Sequence, residues 1–194
     1  MRGCRPLTVI EISEITRAFH GRHAKRNRAF FVLGLKTGLR CRELLGLKVK
    51  DVWNGKLLAR VYVRRGITKG KRMGFSLPLH PLARRALKHY LANPQIPLGV
   101  TVALFPSAKC KSGTPRPLNR SSAWRILKCA YQKAGIEGNT GCHSMRKTFC
   151  QNVYRALGND LIATQAAMHH ASITSTIRYL SFDNRQVEAA ILAA

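Results

Sequence analysis

The chain has 194 residues, enough for one domain or one domain with an arm, and 45% of them are hydrophobic, which supports a packed core rather than disorder. Its charge balance is extreme: 34 Lys and Arg against 8 Asp and Glu give a net +26, spread from Arg2 to Arg185, so the whole surface attracts polyanions. No run is long and apolar enough to span a bilayer, and no basic amphipathic helix with an aromatic face is visible, so no membrane partner is expected.

Thr8 caps a helix over residues 8–19, in which Ile12, Ile15 and Phe19 recur at helical spacing. Residues 22–36 form a second helix with a buried face of Phe30, Phe31, Leu33 and Leu35, broken by Thr37-Gly38. A short helix follows, with Leu44, Leu45 and Leu47 on its apolar side, ending near Gly46. From 49 to 79 the period changes to two. Residues 49–53, 56–63 and 73–79 are predicted as three strands of a small antiparallel sheet, with Asn54-Gly55 as a hairpin turn. Residues 64–72, rich in Lys, Arg and Gly, read as an exposed hairpin end.

Pro81 starts a helix that runs to Leu91. A loop, an apolar run over 100–105 and a basic loop over 109–117 follow. Asn119 caps a helix through Ala134, which Gly135 ends. Residues 143–157, 160–168, 172–180 and an Ala-rich 183–192 read as four further helices. The expected class is α+β, mostly helical, with one small three-stranded antiparallel sheet and no repeat or linker.

Met1 is not followed by the apolar core of a signal peptide, and the six cysteines form no C-x-x-C pair. Free thiols in a reducing cytoplasm are the expected state. Cys142, His143 and Cys150 lie close together in sequence, but their spacing matches no common zinc pattern, so no metal and no cofactor is expected.

The residues that carry chemistry are Arg40, His143, Arg146, His170 and Tyr179. Two arginines, two histidines and a phenol suit a phosphodiester: they can hold it, neutralise its charge and attack it. Each piece alone is weak. About one His-x-x-Arg is expected by chance in so basic a chain, and a second one does occur at His23 and Arg26. Context lifts His143 and Arg146: three apart on a helix, they share a face. Tyr179 follows His170 by nine residues, across the Ser/Thr-rich turn that begins at Ser172.

The ordered motifs resemble those of the tyrosine recombinases, also called the phage-integrase family. The run from Thr37 to Asp51 (TGLRCRELLGLKVKD) is similar to the family's first box. The run from His143 to Phe149 (HSMRKTF) resembles the second, and that from His170 to Tyr179 (HASITSTIRY) resembles its end. Thr68-Lys-Gly-Lys-Arg72, leading to Leu77-Pro78-Leu79, is similar to the family's lysine-bearing β-hairpin. The likeness covers about residues 7–182.

That resemblance implies a catalytic-domain fold and a set of roles. Tyr179 would attack a scissile DNA phosphate to give a 3′-phosphotyrosine and a free 5′-hydroxyl. Arg40 and Arg146 would clamp the non-bridging oxygens, His143 would move the tyrosine proton, and His170 would hydrogen-bond the phosphate. Glu43 would orient the site. Lys69 is preferred as the acid that protonates the leaving oxygen, with Lys71 as its rival. Arg42, Lys71, Arg72 and Lys147 are expected to contact DNA. Double-stranded DNA is the expected partner, with a homotetramer assembled on it, in the cytoplasm of a bacterium or encoded by a phage or plasmid. A type IB topoisomerase, a non-catalytic DNA-binding regulator and a basic RNA- or ribosome-binding protein are the alternatives.

Two departures stand out. The family often has Leu-Gly-His where this chain has Met168-His169-His170, and a His in the glycine position is expected to alter the turn. Few residues precede the first helix, so the chain reads as a single catalytic domain without the N-terminal core-binding domain, either a fragment or a compact member like the small fimbrial-switch invertases. The 183–192 helix is expected to dock either on a neighbouring protomer or on its own domain.

Overall fold

Thr8 opens the first helix as expected. Its hydroxyl accepts from the Glu11 N–H at 3.2 Å, and the Glu11 carboxylate accepts from the Thr8 N–H at 2.8 Å, so two otherwise orphaned donors are satisfied at once. Glu11 also pairs with Arg5, which holds its carboxyl down at about 2. Arg5 in turn donates to the Glu137 carbonyl at 2.7 Å, and the Leu7 N–H donates to the Thr148 hydroxyl at 2.8 Å. This N-terminal strap ties the first helix to the helix that carries His143 and Arg146.

The computed structural model describes residues 3–68, 73–93, 99, 101–107, 116–180, 188 and 191–192. Along them run α1 (Val9–Ala18), α2 (Ala24–Thr37), α3 (Cys41–Leu45), β1 (Arg60–Val63), β2 (Phe75–Pro78), α4 (Pro81–Leu91), α5 (Arg120–Lys133), α6 (Cys142–Ala156), α7 (Leu161–Ala167) and α8 (Ile173–Ile177). No helix among the described residues is long and apolar enough to cross a membrane. Lys69, Lys71, Arg72 and most of the expected 183–192 helix lie outside the described residues.

At the centre is α2, packed against α1, α3, α4 and α6. Phe30, Phe31, Leu33 and Leu35 are all buried there, as their spacing implies. Phe30 meets Phe105 edge-on at 5.3 Å, and Phe31 meets Phe19 and Tyr131 at 5.7 and 6.4 Å. Aromatic pairs in such geometries add about 0.5–1.5 kcal/mol each beyond the area they bury. A second, smaller cluster of Cys150, Met168 and Leu180, with Phe149, Tyr154, Leu161 and Tyr179 around it, unites α6, α7 and α8.

The second His-x-x-Arg proves structural. His23 is the N-cap position of α2, and buried Arg26 donates to the Pro106 carbonyl at 2.7 Å.

The sheet corrects the sequence reading. Among the described residues only β1 and β2 pair as strands, antiparallel, with Val61 opposite Leu77 and Val63 opposite Phe75. The expected first strand over 49–53 is instead a 3-10 turn, Val49–Asp51. Buried Asp51 causes it: its carboxylate accepts the Lys48 N–H at 2.8 Å and both its oxygens take Arg64 Nε at 3.1 Å. The alternating pattern belongs to a different partner, because Lys48 bridges Ala103 and the Leu104 N–H donates to the Leu47 carbonyl. The Asn54-Gly55 turn is real, joining Trp53 to Leu57, but the flanking pairing is a single bridge.

The close approach of α2 and α6 positions the site. Gly34 and Gly38, one turn apart, face Met145 and Phe149, also one turn apart. A Cβ on Gly34 would lie 2.8 Å from Met145 Sδ, and one on Gly38 would lie 2.2 Å from Phe149 Cδ1. Gly38 also has φ 61°, the left-handed conformation that ends α2. Gly38→Ala combines backbone strain with overpacking and should lower stability by about 2–4 kcal/mol. The urea midpoint measures this; an unchanged midpoint would mean that α6 moves away at no cost.

Candidate active site

Arg146 lies on the buried face of α6, one turn after the exposed His143. A guanidinium is always charged, so burying it needs compensation. No carboxylate among the described residues touches it. Instead Nη1 donates to the Gly38 carbonyl at the C-terminus of α2, and Nη2 donates to the Met168 carbonyl at the C-terminus of α7 at 3.1 Å. Helix C-termini present unsatisfied carbonyls and a partial negative charge, which suits a buried cation. Burial first, and then Arg40, lower the Arg146 pKa. The Nε–H has no acceptor among the described residues.

His170 completes this arrangement. Its Nε2 lies 2.6 Å from Arg146 Nη2, and its Nδ1 lies 2.9 Å from the Thr176 hydroxyl. Arginine only donates, so Nε2 must accept. The ring is then neutral with its proton on Nδ1, donating to Thr176. Burial, followed by Arg146, Arg40 and His169, pushes the His170 pKa down to about 3, in keeping with that neutral form.

The residue before it resolves the expected alteration of the turn. The backbone at His169 is left-handed, with φ 49°. The His169 N–H donates to the Ala166 carbonyl at 3.0 Å and the His170 N–H to the Gln165 carbonyl at 3.1 Å, the paired bonds that close a helix through a left-handed residue. The turn therefore keeps the glycine-type geometry despite its side chain, at a strain of about 1–2 kcal/mol.

Tyr179 follows α8. Its ring lies 5.3 Å from the His170 ring, and the Arg146 guanidinium carbon is 5.2 Å from its centroid. The hydroxyl is 3.5 Å from His143 Nδ1. His143 opens onto the surface, yet the surrounding protein and then Arg120, Arg146, Arg40 and Lys147 lower its pKa from 6.5. It is neutral at physiological pH and able to accept a proton.

Arg40 is the N-cap position of α3. Its N–H and its Nη1 both donate to the buried Glu43 carboxylate, at 2.7 and 3.1 Å. Glu43 thus fixes the arginine from behind and leaves its outer edge on an open groove. Arg42, Arg120, Arg125, His143 and Tyr179 line the same groove. Lys147 does not line it; its Nζ reaches toward Gly3. Among the described residues, no group of three or more His, Cys, Asp or Glu side chains is placed to hold a metal ion.

Sequence reasoning missed several members. Arg120, Trp124 and Arg125 line the groove from α5, and Trp124 is 50% exposed. The signal was present: Trp124 falls off the apolar stripe of Ala123, Leu127, Ala130 and Tyr131, beside two arginines. Thr176, Gly38 and Met168 were also missed, the last two because they act through backbone carbonyls. Cys41 and Cys142 face each other at the groove floor, where hydrogen bonding to Cys142 lowers the Cys41 pKa.

Because the folded-state pKa of His170 lies below its ordinary 6.5, the neutral form contributes stability above that value and loses it as pH falls toward about 3. The denaturation midpoint should drop across this window, and His170→Asn should flatten the drop. Equal slopes in both proteins would exclude a buried neutral imidazole.

A sequence model of the Phage integrase family matches residues 5–185. The tyrosine recombinase XerD of Corynebacterium glutamicum is 31% identical over 156 residues, which cover 79% of this chain and 47% of that protein. The probable integrase/recombinase YoeC of Bacillus subtilis is 31% identical over 166 residues, covering 86% of this chain and 83% of that one. Among solved structures, XerH site-specific recombinase bound to palindromic difH substrate in a post-cleavage complex superposes with a TM-score of 0.73 at 24% identity, covering 96% of this chain and 51% of that one. This chain therefore spans about half the length of the XerD and XerH proteins that it matches.

Proposed function

This chain belongs to the phage integrase family, and on that premise we propose that it is the catalytic domain of a site-specific DNA recombinase, cleaving and rejoining strands through a 3′-phosphotyrosine. The observation that carries the reading is the convergence of His143, Arg146 and His170 on the Tyr179 ring and hydroxyl, beside a groove that Arg40, His143 and Tyr179 line. Its substrate is double-stranded DNA, in keeping with the +26 charge and the arginines of the groove. Recombination engages two duplexes, and we propose four protomers assembled on them.

In the cleavage step, Tyr179 Oη attacks phosphorus and the bond to the 5′-oxygen breaks. His143 Nδ1 takes the phenol proton, which requires the tautomer with its own proton on Nε2. Arg40 and Arg146 stabilise the charge that develops on the non-bridging oxygens. Their setting favours this role, since the backbone carbonyls around Arg146 leave its net charge uncancelled. His170 acts first on Arg146, accepting from it and fixing its plane, and supports the phosphate through that contact. Lys69, with Lys71 as its rival, delivers the proton to the leaving 5′-oxygen. Arg42 contacts the DNA backbone from the groove, together with Lys71 and Arg72. The phosphotyrosine keeps the energy of the broken bond, so rejoining by another 5′-hydroxyl is the reverse reaction and needs no nucleotide.

A nicked suicide duplex carrying the recombination site, sought as an inverted repeat in the DNA that flanks the coding region, tests this. Wild type should form a covalent adduct that survives a denaturing gel, and Tyr179→Phe should form none; an adduct in the Phe variant would move the nucleophile elsewhere. Arg40→Ala and Arg146→Ala should each slow cleavage by on the order of 10²-fold or more. Cleavage by wild type should hold its rate as pH falls to 6.5 and decline below it, because the His143 pKa is depressed; His143→Gln should be slow and lack that acid limb.

A further inference from the structure

His169 occupies a backbone position that glycine would take without strain. Its imidazole makes one close ring contact, lying on Phe75 with centroids 4.1 Å apart and planes 23° from parallel. Phe75 opens β2 and pairs with Val63, whose side chain is fully buried in the main core. The next residue, Arg64, is held by Asp51 and by the Gly46 carbonyl at 2.6 Å. One end of the hairpin is thus anchored to the core and to the turn after α3. The stack joins the hairpin to a second body, the α7–α8 turn that delivers His170 to Arg146. In the chain, residues 69–72 lie between Thr68 and this strand, three positions before Phe75.

We propose that His169 is a positioning residue: by stacking on Phe75 it holds the β1–β2 hairpin in register with the Arg146–His170 pair, and protonation of the leaving oxygen by the lysine that precedes β2 in sequence depends on that register. This rests on the reading of Lys69, or Lys71, as the acid. A residue at this point couples two parts of the site that are far apart in sequence, the hairpin from one side and the phosphate clamp from the other. Glycine would keep the turn and lose the coupling. Phenylalanine would keep a ring for the stack at a backbone cost similar to that of histidine.

The test uses the full chain and the nicked suicide duplex in two versions, one with the ordinary 5′-oxygen and one with sulfur in its place at the scissile phosphate. A thiolate leaves without being protonated, so sulfur removes the need for the acid. His169→Gly should cleave the oxygen substrate on the order of 10-fold or more slowly, with unchanged DNA affinity, and should cleave the sulfur substrate at the wild-type rate. Phe75→Leu should behave in the same way, the double variant should be no slower than either single one, and His169→Phe should stay near wild type. A wild-type rate for His169→Gly on oxygen, or a defect that persists on sulfur, overturns the proposal. Lys69→Ala and Lys71→Ala separate the two readings. If neither is slow on oxygen and restored on sulfur, the lysine assignment fails; if one is and His169→Gly is not, only the positioning role fails.

Discussion

Everything at this site depends on keeping one arginine charged and buried against backbone carbonyls. Arg146 achieves this with the Gly38 and Met168 carbonyls, two helix ends that converge because α6 packs against α2 and sits beside α7. A carboxylate in their place would neutralise the guanidinium and compete with any anion brought to it. Carbonyl dipoles compensate its desolvation while leaving the net charge in place. The glycines on α2 follow from the same requirement. Without the close approach they permit, the Gly38 carbonyl would not reach the guanidinium.

The same cation sets the state of its neighbours. Burial first, and then the positive field of Arg146 and Arg40, lead the nearby imidazoles to shed their protons. His143 and His170 are thereby both neutral but do different work, as an acceptor facing the phenol and as an acceptor facing the arginine. The carboxylates are spent elsewhere. Glu43 holds Arg40, and Asp51 holds Arg64 and the turn that sequence alternation suggested was a strand. In a chain with 8 acidic residues, two buried ones stand behind arginines, Glu43 behind Arg40 at the site and Asp51 behind Arg64 at the end of β1.

Much of this was legible in the sequence because it was written in side chains. Thr8, Pro81 and Asn119 mark helix starts by the chemistry of their caps, and α1, α4 and α5 begin where those residues say. Arg40, His143, Arg146, His170 and Tyr179 were legible through residue type and spacing; Arg40, His143 and Tyr179 line one groove, and Arg146 and His170 pack against the Tyr179 ring. What was not legible acts through the backbone or through long-range pairing. The Gly38 and Met168 carbonyls have no residue code. The 47–49 segment alternates like a strand because it pairs briefly with 102–104, a partner that periodicity cannot name. His169 looked like a disruption of the turn, and only the three-dimensional fold shows the ring of Phe75 waiting beneath it.

The stacking of Tyr179 on both His170 and Arg146 has a consequence for how this protein changes under mutation. Tyr179, Arg146 and His170 share one another as packing partners, so removing any one of them leaves the other two in an altered place. Their individual substitution effects cannot then be summed, and a second change within the set should cost far less than the first. A change at any one of the three disturbs the packing of the other two, which narrows the routes by which such a domain can drift in sequence while it keeps this arrangement.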